Sequence, residues 1–281
     1  MAIEILSEKE IACMRRAGRA AARTLSAVGL RLRAGVSTAE IDRWVREDTN
    51  GRGATPSQLG YEGFPAAVCT SANHIVCHGV PRHDDVLRSG DIINVDVTSK
   101  LDGYHGDTSV TFEIGEVDGV RRHVCDVALR CLHAGIGVVR EGARLGDIGA
   151  AIDDLARAEG CGVVEAFGGH GIGRHMHQDP HVPHVGTRGR GLRLAAGMAL
   201  TIEPMLTIGA PRLQILDDGW TVVTEDGSPS AQFEHTVLVT RSGAEVLTQS
   251  DDPIRLVLGS DAPPQAICGR QARYRTNRPG S

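Results

Sequence analysis

Two spacings of apolar residues alternate along this chain, one helical and one extended. Ser7-Glu8-Lys9-Glu10 reads as a capping box ahead of Ile11, Met14, Ala17, Ala21, Leu25 and Val28, which share one helical face. The pattern predicts a helix over 8–29. Ser37-Thr38-Ala39-Glu40 repeats the signature and predicts a second helix from Ile41 to about Thr49. Two more are predicted, from about Arg121 to Val138 and from about Gly146 to Glu159, the latter with Ile148, Ile152 and Leu155 on one side. Strands are predicted at Ile92 to Thr98 and His105 to Ile114, separated by Lys100-Leu101-Asp102-Gly103, an Asp-Gly hairpin signal. Ala199 to Met205, Trp220 to Thr224 and Phe233 to Val239 are read as further strands.

A faint repeat runs through this pattern. Arg33-x-Gly35 followed by Glu40-Ile41 matches Arg140-x-Gly142 followed by Asp147-Ile148, each pair 107 residues apart. Each instance follows a long helix and opens a shorter one, which suggests two related halves, about 8–118 and 119–250, in a single domain over 1–250. Residues 251–281 hold Pro253, Pro263, Pro264 and Pro279 with little periodicity, and are expected to form a mobile extension.

Composition narrows the function classes. The chain has 281 residues, 41% of them hydrophobic and 23% charged, which supports a folded core and excludes wholesale disorder. The net charge of −5 argues against DNA binding through a basic whole-protein field. No apolar run is long enough to span a membrane, and the start has no secretory pattern. Seven scattered cysteines, none spaced C-x-x-C, suggest reduced thiols in a cytoplasmic protein and exclude a zinc knuckle. In the tail, Arg270, Arg273, Arg275 and Arg278 follow Asp261 with no acid between. They read either as a solvated extension or as a segment that favours transient contact with the anionic surface of the ribosome.

Carboxylates and histidines carry the chemistry. If Asp102-Gly103 is a two-residue turn, Thr98 faces Asp107 and Asp96 faces Ser109, so Asp96 and Asp107 are diagonal neighbours. Such a pair is either solvated on an outer face or bridged by a cation. Gly168-Gly169-His170-Gly171-Ile172-Gly173 lets backbone approach something closely, but it is neither a dinucleotide fingerprint nor a P-loop. His170, His175, His177, His181 and His184 crowd fifteen positions of a chain with 12 histidines, a density that favours at least one metal ligand. Glu203, before Pro204, and Glu234 sit in apolar strand patterns, where a salt bridge to Arg or Lys is the plain alternative. Four carboxylates and one imidazole suit a pair of bridged divalent first-row cations. No G-x-S-x-G or H-E-x-x-H pattern competes.

Asn94-Val95-Asp96-Val97, His105-Gly106-Asp107-Thr108, Gly169-His170-Gly171-Ile172-Gly173-Arg174, Thr201-Ile202-Glu203-Pro204-Met205 and Ser230-Ala231-Gln232-Phe233-Glu234-His235 closely resemble the five metal motifs of methionine aminopeptidases. Order and spacing match the type I, bacterial-like class, over about residues 5–250. The resemblance implies the pita-bread α/β fold, a curved antiparallel sheet covered by two pseudo-symmetric helix pairs. It also implies removal of N-terminal methionine from nascent proteins and peptides with a small second residue, by attack of water activated at two metal ions. Asp96 then holds one ion, His170 and Glu203 the other, and Asp107 and Glu234 bridge both. The ions are Co, Mn, Fe or Zn. Glu203 also carries the proton, and His78 and His177 match the family's two non-ligand active-site histidines. The methionine pocket is implied at Tyr61, Phe64, Cys69, Met176 and Trp220, with His78 and His177 at its edge. Asn73, Ile75 and Ser230 match a monovalent-cation site of some members. A monomer is expected.

Gln58 and Gly168 depart from the resemblance, standing where members often have cysteine. Met176 replaces a frequent aromatic, and Phe64 a tyrosine found in some. Two alternatives stay open on the same ligand pattern. One is a fold-mate cleaving before proline, which normally carries a further N-terminal domain; only about 95 residues precede Asp96. The other is a non-catalytic binding module, for which broken ligands would be usual.

Overall fold

The computed structural model describes residues 3–249 and the short strand Val257–Leu258. The extension expected to be mobile, with its four arginines, otherwise lies outside the described residues. Four helices are present: α1 (Glu8–Gly29), α2 (Thr38–Gly51), α3 (Gly119–Gly137) and α4 (Leu145–Ala158). Both expected capping boxes close, Ser7 with Glu10 and Ser37 with Glu40. Because Ser37 is the cap, α2 begins at Thr38, three residues before the predicted start.

The first half contributes strands β1 (Thr55–Pro56), β2 (Cys69–Ala72), β3 (Ile75–Cys77), β4 (Ile92–Leu101) and β5 (Tyr104–Ile114). The second contributes β6 (Gly162–Val163), β7 (Gly169–Gly171), β8 (Gln178–Val182), β9 (Ala199–Ile202), β10 (Met205–Thr207), β11 (Leu213–Ile215), β12 (Val222–Thr224), β13 (Ser230–Gln232), β14 (Glu234–Val239) and β15 (Ala244–Val246); β16 is Val257–Leu258. The large sheet runs β1-β4-β5-β14-β9-β7-β8, with β2 also on β4, β15 on β14 and β16 on β5. Every pair in it is antiparallel except β16 with β5. The chain thus has the pita-bread α/β fold.

Three strand predictions need correction. The segment 199–205 is two strands, because Pro204 has no N–H to continue a ladder and the chain breaks at Glu203-Pro204. The segment 233–239 is one strand that starts a residue later than predicted, at Glu234, with the separate strand β13 ending before Phe233. Trp220 lies outside β12; its N–H is taken by the Asp218 carboxylate at 2.9 Å in a turn.

The hairpin β4–β5 holds the expected register, Thr98 opposite Asp107 and Asp96 opposite Ser109. Its turn residues Asp102 and Gly103 have φ of +54° and +82°, as a two-residue primed turn requires. Ile93, Val95 and Val97 are fully buried on the other face. Helix α1 packs across β4 and β5, and α3 against β9, β10, β13 and β14. Gly18 meets Gly106 backbone to backbone, so closely that a Cβ on Gly106 would lie 2.5 Å from Gly18 Cα. Phe112, wholly buried under Gly29, anchors this layer; its truncation to alanine is expected to cost about 3–5 kcal/mol.

The 107-residue repeat extends to the backbone. Gly35 N–H donates to the Leu87 carbonyl at 2.8 Å, and Gly142 N–H to Leu194 at 2.9 Å. Isolated bridges join Ser37 to Val86 and Arg144 to Arg193 at the same offset. The two halves meet where β5 pairs with β14. Among the described residues no helix is long and apolar enough to cross a membrane.

Candidate metal centre

Strand pairing lines up the first acids. Ser109 on β5 stands opposite Asp96 on β4 and opposite Glu234 on β14, so the three share one row across the sheet. Asp107 lies two residues along β5, hence on the same face. Glu203 projects from the break after β9, and His170 from β7, whose neighbour is β9. The glycines of β7 are needed for close strand approach: a Cβ on Gly169 would strike the Thr201 carbonyl, and one on Gly171 the Asp179 carbonyl.

Three overlapping groups result, each with candidate ligand atoms within 4.8 Å of one another: Asp96, Asp107 and Glu234; His170, Glu203 and Glu234; and Asp107, His170 and His177. Hydroxyls and amides aim the side chains. Thr98 Oγ1 donates to Asp107 Oδ1 at 2.6 Å, Thr201 Oγ1 to Glu203 Oε1 at 2.7 Å, and Gln232 Nε2 to Glu203 Oε2 at 3.2 Å. His170 Nδ1 lies 3.0 Å from the Gly171 carbonyl, so it carries the proton and leaves the Nε2 lone pair toward the acids. That Nε2 is 3.5 Å from Glu203 Oε1 and 3.9 Å from Asp107 Oδ2.

Electrostatically the cluster lacks positive charge. No Arg or Lys lines the cleft among the described residues, which overturns the salt-bridge explanation for Glu203 and Glu234. Burial raises all four carboxyl pKa values, Asp107 to about 6 and Glu203 to about 8, and mutual repulsion adds to the rise for Asp96 and Glu234. Burial, with His177 nearby, pulls His170 down to about 3, so the imidazole is neutral. Glu234 Oε1 is buried without a hydrogen-bond partner. Clustered acids, a neutral imidazole and an orphaned carboxylate oxygen together fit a divalent metal seat.

The cleft over this seat has a volume of about 520 Å³ and is also bordered by His78, Phe167, Gln178, His181 and Met205. A side pocket of about 160 Å³ opens from it. The structure brings all seven expected pocket residues to that cavity: Tyr61, Phe64, Cys69, His78, Met176, His177 and Trp220. Phe64 and Trp220 pack edge to face with ring centres 5.2 Å apart. His177 stands at the mouth, with Nδ1 2.9 Å from the Tyr61 hydroxyl. His78 adopts φ +55°, and burial pulls its pKa down to about 4. Asn73 and Ser230 are joined, Ser230 N–H donating to the Asn73 carbonyl at 2.8 Å; the Ser230 hydroxyl is buried and unpaired.

Of the dense histidine run, His170 and His177 enter the metal-capable groups. His184 instead accepts the Glu203 N–H at its Nε2, 3.2 Å away. Sequence reasoning missed Thr98, Thr201, Gln232, Phe167 and this role of His184. Threonine in a strand looks like ordinary strand propensity, so only the position of Thr98 opposite Asp107 carried a signal.

Residues 12–241 match the model of metallopeptidase family M24. Methionine aminopeptidase A of Synechocystis is 48% identical over 88% of this chain and 97% of its own length. The methionine aminopeptidase of Escherichia coli strain K12 is 43% identical over 93% of this chain and its full length. The crystal structure of methionine aminopeptidase from Rickettsia prowazekii superposes with a TM-score of 0.87, at 43% identity, covering 88% of this chain and all of that one.

Proposed function

Since the chain belongs to metallopeptidase family M24, as a hydrolase of the bacterial-type methionine aminopeptidase class, we propose that it removes N-terminal methionine from peptides and nascent proteins whose second residue is small. The observation that carries the proposal is the convergence of Asp96, Asp107, His170, Glu203 and Glu234 in one cleft beside an apolar, sulfur- and aromatic-lined pocket.

In this reading Asp96, Asp107, His170, Glu203 and Glu234 would hold two divalent ions, Asp96 serving one, His170 and Glu203 the other, and Asp107 and Glu234 standing within reach of both groups. Such ions, when bound, supply Lewis acidity that makes hydroxide available from water near neutral pH and polarises a peptide carbonyl. The chain does the rest. Phe64, Trp220, Tyr61, Cys69 and Met176 surround the methionine side chain and exclude water from it. Glu203, buried beside His170 and held by Thr201 and Gln232, takes a proton from the attacking water as a carboxylate and delivers it to the leaving amine. His78, neutral at physiological pH, and His177, oriented by Tyr61, donate hydrogen bonds to the developing oxyanion or to the next peptide carbonyl. A monovalent cation near Asn73, Ile75 and Ser230 belongs to the same reading, supported by the unpaired Ser230 hydroxyl.

The test is turnover of Met-Gly-Met by protein stripped with chelator and reloaded with Co, Mn, Fe or Zn singly. Activity is expected to vanish on stripping and return with a divalent ion, with Met-Ala peptides preferred over Met-Lys and no cleavage of x-Pro-x. Full activity without metal, or equal kcat/KM for Met-Ala and Met-Lys, defeats the proposal.

A further inference from the structure

β1 and β2 pair with the same edge of β4 but leave a break between them. β1 covers Ser99 and Lys100, and β2 covers Ile93 to Asp96. After β1, Ser57 N–H still donates to the Thr98 carbonyl at 2.9 Å, and then the chain turns away toward Tyr61. Gln58 fills the break with its side chain. Its Oε1 accepts the Thr98 N–H at 3.2 Å, and its Nε2 donates to the Asp96 carbonyl at 2.9 Å and to Asp96 Oδ1 at 3.3 Å. The carboxamide has the donors and acceptor of a peptide group and stands in for one missing from the ladder.

Gln58 is only 6% exposed, so these bonds act away from bulk water. One residue receives both donated bonds, one at its backbone and one at its carboxylate. That fixes the side-chain torsion of Asp96 relative to the strand that carries it. The same carboxamide lines the methionine pocket, on the loop that bears Tyr61 and Phe64. Alanine at this position has no donor for Asp96, and a cysteine thiol is a shorter and weaker one than the carboxamide.

We infer that Gln58 is a positioning residue of the metal seat: it clamps Asp96 in the orientation that brings its carboxylate within 4.8 Å of Asp107 and Glu234. The inference rests on the metal seat proposed above and deepens it. Hydrogen bonds to a ligand's far side hold it ready for the ion, and losing one typically weakens metal binding by about 10- to 100-fold.

The experiment is calorimetric titration of Co(II) into chelator-stripped protein, together with kcat and KM for Met-Gly-Met. Gln58→Met keeps length and burial but has no donor. Its Co(II) dissociation constant is expected to rise about 10-fold or more, with kcat reduced and KM within about threefold of the original. Gln58→Glu, which sets a second carboxylate against Asp96, is expected to bind Co(II) more weakly still. If Gln58→Met does not fold, Gln58→Ala, which leaves space for water at both groups, carries the comparison. Unchanged Co(II) affinity with a raised KM would make Gln58 a pocket wall and overturn the inference. Failure of the unaltered protein to bind Co(II) overturns the metal seat itself.

Discussion

Glu203 accepts hydrogen bonds through both oxygens, one from a hydroxyl and one from a carboxamide. Its main-chain N–H is taken by His184. The residue is therefore fixed at three points, two of them on its carboxylate, which remains only 3.5 Å from His170. Under the proposed function two roles would fall on this one carboxylate, holding an ion and moving a proton, and they separate experimentally. Glu203→Gln is expected to lower kcat for Met-Gly-Met by roughly 10²- to 10⁴-fold, and saturating metal should not restore it. Asp96→Asn and Asp107→Asn should instead show activity that recovers partly as metal concentration rises. Near-normal kcat for Glu203→Gln at saturating metal removes the proton-carrying role.

Helix α1 starts on a reciprocal cap in which Glu10 accepts from the Ser7 N–H at 2.9 Å and also from the Tyr104 hydroxyl at 2.9 Å. These bonds hold the Glu10 carboxyl down near a pKa of about 2, against an unfolded value near 4.5, with the Ser7 backbone bond the largest cause. A depressed folded pKa contributes stability above the unfolded value and loses it as pH falls toward the folded one. The Tm advantage of the native chain over Glu10→Gln is thus expected to be full above pH 5 and to narrow steadily as pH drops toward 3, read by thermal unfolding in a pH series. This cap was legible in the sequence because every part of it lies within four residues. The β4–β5 register was legible for the same reason, since Asp102-Gly103 fixes which residues face each other. The joining of β5 to β14 and of β14 to β9 was not, because no local period encodes which distant strands pair. So the five motifs could be picked out one by one and their residue types suggested a shared metal site, whereas the place of each residue in it came only through resemblance. The break at Pro204 was missed because an apolar run resembles one continuous strand.

Across the whole molecule, the five groups proposed as metal ligands divide between the halves: Asp96 and Asp107 from the first, His170, Glu203 and Glu234 from the second. A bound ion therefore ties the halves together, and without it buried acids oppose one another. An ion at 100 times its dissociation constant adds about 2.7 kcal/mol to folding stability, enough to raise Tm by roughly 5–10 °C in a chain of this size. Differential scanning calorimetry of stripped and Co(II)-loaded protein checks this. Glu234→Gln, which removes one buried charge, is expected to raise the Tm of the stripped form and shrink the metal-induced rise; a lower stripped Tm with an intact rise counts against it. The offset of 107 residues reaches into the cleft as well, for Glu203 stands that distance after Asp96. The two acids are counterparts in the two halves. A half facing its own copy would present the same acid twice, and a peptide could lie across it in either direction. Sense of direction enters through what the halves do not share. Glu203 is one methylene longer, follows a strand that Pro204 cuts short, and leans on Thr201 and Gln232, while Asp96 leans on Gln58. For a polypeptide cut from its beginning, as proposed, the direction would be set by the mismatch between two halves, and by neither half alone.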